Sequence, residues 1–143
     1  MKRILVAEDE ATLREGIVEA LRSRGYEVVE APDGTAALRR IDDDELFDLV
    51  VTDLMMPGAD GIEVVRRVKL VNESTTAVVM TAFGTIEKAV QAMQAGAYDF
   101  LQKPFTLETL ELKIRQALEY GRMVRQIQSY QRTAPRGAFE NIV

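Results

Sequence analysis

The chain has no cysteine and no histidine among its 143 residues. Without cysteine there is no disulfide and no thiolate metal site. Without histidine there is no Ser-His-Asp triad, no imidazole metal ligand and no phosphohistidine. Long apolar runs are also missing: none approaches the roughly 18 residues that a membrane span requires. No signal peptide precedes the first apolar run, so a cytoplasmic location without membrane contact is expected. Positive charge is not in excess, since 18 Lys and Arg stand against 23 Asp and Glu for a net charge of -5. That balance argues against direct nucleic-acid binding, because phosphate backbones demand a basic surface. What is present, 47% hydrophobic and 29% charged residues, suits one globular domain with a modest extension.

Four short runs rich in Val, Ile and Leu each end in polar residues. Ile4-Leu5-Val6-Ala7 runs into Glu8-Asp9, Leu49-Val50-Val51 into Asp53, Val78-Val79-Met80 into Thr81, and Phe100-Leu101 into Lys103-Pro104. Continuous runs of this length, separated by helical patterns, predict parallel strands buried on both faces. Tyr26 to Glu30 reads as a further strand. Between the strands the period lengthens to a helical turn. Leu13, Ile17 and Leu21 mark one helix, with Gly25 as its C-cap, and Ala36 to Ile41 a second, entered through Asp33-Gly34. Ile62, Val65 and Val68 mark a third helix; Ile86, Val90 and Met93 a fourth, closed by Gly96; Leu107, Leu110, Ile114 and Leu118 a fifth. Five alternations predict a doubly wound α/β domain over residues 1–120, with helices on both faces of a five-stranded parallel sheet.

The last helical pattern continues past that boundary. Tyr120, Met123, Ile127 and Tyr130 keep a 3-4-3 spacing but run out of step with Leu110 and Ile114. An extended C-terminal helix over residues 121–131 would then present a second apolar face, open to a helical partner such as another copy of the chain. The alternative is a frayed helix whose aromatics fold back onto the domain. Residues 132–143 read as a flexible linker, with Pro and Gly between Arg132 and Gly137, followed by Phe139-Glu140-Asn141-Ile142-Val143 as the start of a downstream domain. There is no internal repeat.

In open parallel sheets, ligands bind at the carboxyl ends of the strands, where strand order reverses. The apolar runs therefore deliver Glu8, Asp9, Asp53, Thr81 and Lys103 to one edge. Acidic residues at strand ends often merely cap the next helix. That explanation would serve Asp9 or Glu10 alone, but not the whole set. Hard carboxylate oxygens suit Mg²⁺, which keeps several waters beside two or three such ligands. Three carboxylates against Lys103 leave a formal charge of -2, costly in a partly buried site and cancelled by the cation. Mg²⁺ would also screen an incoming phosphoryl group from the carboxylates.

The segment Thr52-Asp53-Leu54-Met55-Met56-Pro57-Gly58-Ala59-Asp60-Gly61 resembles the phosphoacceptor loop of bacterial response-regulator receiver domains. The likeness extends through Glu8-Asp9, Met80-Thr81-Ala82 and Lys103-Pro104-Phe105, in order, over roughly residues 1 to 120. It implies a flavodoxin-like sheet of order 2-1-3-4-5, with Asp53 phosphorylated by a sensor histidine kinase. It further implies Mg²⁺ held by Asp9, Asp53, Glu8 (through water) and the backbone carbonyl of Met55. Thr81 would hydrogen-bond the phosphoryl group and Lys103 would pair with it, the bond to Pro104 being cis. Phe100 falls where receivers carry an aromatic that changes rotamer on phosphorylation. Met55 and Phe83 fall where receivers control the hydrolytic water, and both are apolar, so slow self-dephosphorylation is expected. Glu8 departs from the Asp that many receivers have there.

The stretch from Met80 to Met93, followed by Gly96-Ala97-Tyr98-Asp99-Phe100, resembles receivers of the NtrC class. In that class a linker helix leads to an AAA+ ATPase acting on sigma-54 polymerase. The resemblance implies a homodimer through the C-terminal helix or the helix 4–strand 5–helix 5 face, and a downstream AAA+ partner domain. A phosphatase with an aspartyl-phosphate intermediate would want an acid where Met55 stands. A nucleotide-binding flavodoxin-like protein would want a Gly-rich turn where Glu8-Asp9-Glu10 stands. No turnover enzyme is therefore expected.

Overall fold

The computed structural model describes residues 1–43, 46–82 and 86–133. Strands and helices alternate: β1 (Arg3–Ala7), α1 (Ala11–Ser23), β2 (Glu27–Ala31), α2 (Gly34–Asp42), β3 (Leu49–Asp53), α3 (Gly61–Val71), β4 (Thr76–Thr81), α4 (Ile86–Ala95), β5 (Asp99–Gln102) and α5 (Leu107–Thr133). The five strands pair in parallel in the order β2-β1-β3-β4-β5, the flavodoxin-like order the sequence reading anticipates.

Strand side chains alternate between two helical layers, because successive residues of a strand point to opposite faces. Ile4, Val6, Leu49, Val51, Val78 and Met80 pack with Ile17 and Leu21 of α1 and Leu110 and Ile114 of α5. On the other face Leu5, Ala7 and Val50 pack with Ala37 and Ile41 of α2 and Val64 and Val68 of α3. Ala77 and Val79 pack there with Val65 of α3 and Ala89 and Ala92 of α4. Burial on both faces is why these strands read as unbroken apolar runs.

Helix ends follow the local chemistry. Asp33 accepts from Ala36 N at 2.7 Å and Asp60 from Glu63 N at 2.9 Å, capping α2 and α3. Gly25 and Gly96, after α1 and α4, take φ of +91° and +118°, the left-handed turn that L residues avoid.

Helix α4 is present, but its large apolar residues do not face the core. Ile86, Val90 and Met93 are 78%, 50% and 38% exposed, while Ala89 and Ala92 are buried. Small side chains let the helix lie close on Ala77 and Val79, which leaves the bulky stripe outward. Helix α5 packs through Leu110, Ile114 and Ala117 and continues along the same line to Gly121. A Cβ on Gly121 would lie 2.7 Å from Thr76 Oγ1 and 3.3 Å from the Ser74 carbonyl oxygen. Further along, Arg125 Nη1 lies 3.8 Å from Asp48 Oδ1 and Gln128 donates to Glu73 at 3.4 Å. The extension therefore leans on the end of the sheet remote from the carboxyl edge. Met123, Ile127 and Tyr130 stay exposed. No helix among the described residues is long and apolar enough to cross a membrane. Of the linker and downstream start expected over residues 132–143, Arg132 and Thr133 belong instead to α5, and residues 134–143 lie outside the described residues.

Candidate functional site

Strand register assembles the site. Ala7 pairs with Thr52, Asp53 with Met80, and Thr81 with Gln102. Glu8, Asp53, Thr81 and Lys103 therefore each stand at, or one residue beyond, the last rung of their strands. Strand order reverses between β1 and β3, and that crevice receives the carboxylates. One oxygen each from Glu8, Asp9 and Asp53 can be chosen so that all lie within 4.8 Å of one another. A hard, oxygen-only donor set of this kind fits Mg²⁺.

Glu8 is fully buried and Asp53 is 7% exposed. Lys103 makes this tolerable, its Nζ donating to Glu8 Oε1 at 2.6 Å and to Asp53 Oδ2 at 3.0 Å. Burial opposes its charge, but the hydrogen bonds to Glu8 and Asp53 and their negative charges outweigh it, so Lys103 is held above the ordinary lysine range. Asp9 is raised instead, by desolvation and then by its hydrogen bond with Glu8, with Lys103 pulling the other way. Like charges crowd this edge, and a divalent cation would relieve them.

The capping alternative does not account for the acids. Glu10 occupies the N-cap position of α1, yet its side chain makes no capping bond. Its backbone N–H instead donates to Glu8 Oε2 at 3.1 Å. After Asp53 the capping role falls to Asp60, seven residues on.

Thr81 is buried at the end of β4, and the Lys103 backbone N–H donates to its carbonyl oxygen at 2.7 Å. The Lys103–Pro104 peptide is cis. Phe100 is 43% exposed and Met55 53% exposed, the first on the edge strand and the second two residues after Asp53. Phe83 lies outside the described residues.

Two features escape a reading by motif. A Cβ on Gly61 would lie 2.3 Å from the Asp53 carbonyl oxygen, so the start of α3 closes against the end of β3 with no room for a side chain. Only the placement of Gly61 at the end of the loop after Asp53 hints at this. The other is Arg14 of α1, whose guanidinium reaches both the Glu8 carbonyl oxygen and Glu30. No sequence spacing links residues 8, 14 and 30.

Residues 4–115 match the response regulator receiver domain family. The chain is 39% identical over 115 residues to a cyclic di-GMP phosphodiesterase of Thermotoga maritima, covering 80% of this chain and 30% of that protein. It is 36% identical over 120 residues to the transcriptional regulatory protein ZraR of Klebsiella oxytoca, covering 84% of this chain and 27% of that one. Among solved structures, NtrX of Brucella abortus in complex with ADP superposes with a TM-score of 0.82 at 34% identity, over 90% of this chain and 30% of that one. The chain thus spans less than a third of each of these relatives.

Proposed function

The chain belongs to the response-regulator receiver family, and on that premise we propose that it is a phosphorylation switch whose acceptor is Asp53. The observation that carries this reading is the convergence of Glu8, Asp9, Asp53 and Lys103 at one sheet edge, with Lys103 Nζ 3.0 Å from the acceptor carboxylate. A carboxylate oxygen of Asp53 attacks the phosphorus of a phosphohistidine on a sensor kinase. The P–N bond breaks, an acyl phosphate forms, and the kinase imidazole leaves. Lys103 is already beside the Asp53 carboxylate, so it pairs with the phosphoryl group without moving far. The Thr81 hydroxyl, at the end of the adjacent strand, donates to a phosphoryl oxygen.

Glu8, Asp9, Asp53 and the Met55 carbonyl would hold Mg²⁺, which when bound offsets charge between the carboxylates and the incoming phosphoryl group. Response to phosphorylation then rests on Thr81 and Phe100. Phe100 is part-exposed on β5, and burial of its ring as Thr81 turns toward the phosphate would favour the signalling state. Met55 and Phe83 offer no polar atom on their side chains to orient a hydrolytic water, so the acyl phosphate decays slowly.

Residues 1–120 are the switch, residues 121–131 the linker helix, and residues 132–143 the lead into an output domain. The resemblance of Met80 to Phe100 to NtrC-class receivers, together with the likeness to ZraR and NtrX, supports an AAA+ activator of sigma-54 polymerase as that output. Exposed Met123, Ile127 and Tyr130 on α5, and Ile86, Val90 and Met93 on α4, favour a homodimer. The site of action on this reading is the cytoplasm, with no nucleic-acid contact by these residues.

The test is intact mass after addition of acetyl phosphate and Mg²⁺, beside Asp53→Asn. The expected result is one phosphate adduct that needs Mg²⁺ and is absent from the variant. A folded wild-type protein that takes no adduct would refute the reading.

A further inference from the structure

Glu8 is held at every polar atom it has. Its backbone N–H donates to the Ala31 carbonyl oxygen at 3.1 Å, Lys103 and the Glu10 N–H occupy its two carboxylate oxygens, and its carbonyl oxygen accepts from Arg14 Nη1 at 2.8 Å. The last of these is unusual in kind. At Glu8 the chain has left β1 and turns into α1, so the carbonyl is served by a side chain six residues on. The same guanidinium donates through Nε to Glu30 Oε1 at 3.1 Å, and the Arg14 side chain is only 15% exposed.

We propose that Arg14 is a positioning residue for the cation site, fixing the peptide plane between Glu8 and Asp9 while Glu30 holds its guanidinium in place. The proposal rests on the Mg²⁺ reading above. A peptide unit is planar, so the atom that holds the Glu8 oxygen also orients the Asp9 nitrogen and Cα. Those atoms carry the second of the two adjacent carboxylates, the one that is solvent-exposed. Adjacent side chains diverge along a strand, and only a defined turn at this peptide lets Glu8 and Asp9 offer oxygens to one ion.

Charge explains why Glu30 is part of the device. A lone guanidinium beside a cation site would repel the ion. Paired with Glu30 it is electrically balanced, so it can impose geometry without opposing Mg²⁺. Its rigid fork serves two acceptors on different elements at once, a task for which a lysine ammonium lacks the geometry. Groups that orient metal ligands in this way typically change metal affinity about 10- to 100-fold when removed.

The sign of the effect separates this role from its rivals. Mg²⁺ alone is titrated calorimetrically into wild type, Arg14→Ala, Arg14→Lys and Glu30→Gln, with thermal melts of the metal-free proteins alongside. Positioning predicts that Arg14→Ala raises the Mg²⁺ Kd by about tenfold and that Arg14→Lys, which keeps the charge, does not restore it. A purely electrostatic role predicts the reverse, tighter Mg²⁺ binding in Arg14→Ala. A strut that only ties α1 to β2 predicts a lower Tm with unchanged Kd. Either of these two results overturns the proposal. Should Arg14→Ala fail to fold, Arg14→Lys carries the same test, and a wild-type Kd there overturns it. Absence of Mg²⁺ binding by wild type would instead bring down the functional reading itself.

Discussion

Tyr98 and Tyr120 meet at the junction between the domain and the helix extension, ring centroids 4.8 Å apart and planes tilted by 34°. Tyr98 leads into β5 and Tyr120 lies within α5, so the first residue of the outer apolar stripe is already used by the domain. The two alternatives posed for that stripe therefore divide along its length. Tyr120 folds back, and Met123, Ile127 and Tyr130 face outward.

The dimer test follows from this division. Substituting Tyr120 would disturb the ring contact as well as any partner helix, so Met123→Glu with Ile127→Glu is the cleaner pair. Light scattering should report a monomer for the double variant and a dimer for wild type. Dimers that persist would place the contact on the Ile86, Val90 and Met93 face of α4.

Gly121 should resist replacement although it lies inside a helix. Propensity alone favours other residues over glycine there by up to about 1 kcal/mol. A Cβ, however, would meet Thr76 Oγ1 at 2.7 Å. Gly121→Val should cost about 1–3 kcal/mol as an overpacked contact. Hydrogen exchange should show faster opening of residues 121–131, while acetyl phosphate labelling of Asp53 stays near wild type.

Lys103→Met should destabilise the metal-free protein by about 3 kcal/mol, because Glu8 and Asp53 then stay buried without their shared cation. Chemical denaturation with and without Mg²⁺ checks this, and Mg²⁺ should recover part of the loss. The pH dependence has a definite sign. The folded-state pKa of Lys103 is raised above 10.5, so its contribution is complete below that value and is lost as pH rises through the folded pKa. The difference between wild type and variant should shrink in that alkaline range.

Asp53→Asn removes one of three crowded carboxylates. The metal-free variant should be more stable than wild type, with a higher Tm, and should bind Mg²⁺ more weakly. Opposite trends in stability and in Mg²⁺ affinity are the signature of a cluster strained by like charge. Parallel trends would argue that Asp53 is not part of the cation site.

Much of this molecule was legible in the chain. Strands buried on both faces leave unbroken apolar runs, and parallel pairing puts the residue after each run at one edge. Glu8, Asp53, Thr81 and Lys103 were therefore readable as neighbours from strand ends alone. Helix α4 shows where pattern reading stops. Its large residues have helical spacing, but spacing does not say which face is covered, and the sheet took the alanines.

The sequence by itself determined the alternation of elements and the edge at which the polar residues gather, because these follow from local periodicity and from the end of each apolar run. Tertiary structure decided which carboxylates Lys103 bridges, how Arg14 and Glu30 grip the turn after β1, and how far α5 stays on the domain. Those depend on distances between residues far apart in the chain, set by strand register and helix packing, and no local pattern carries them.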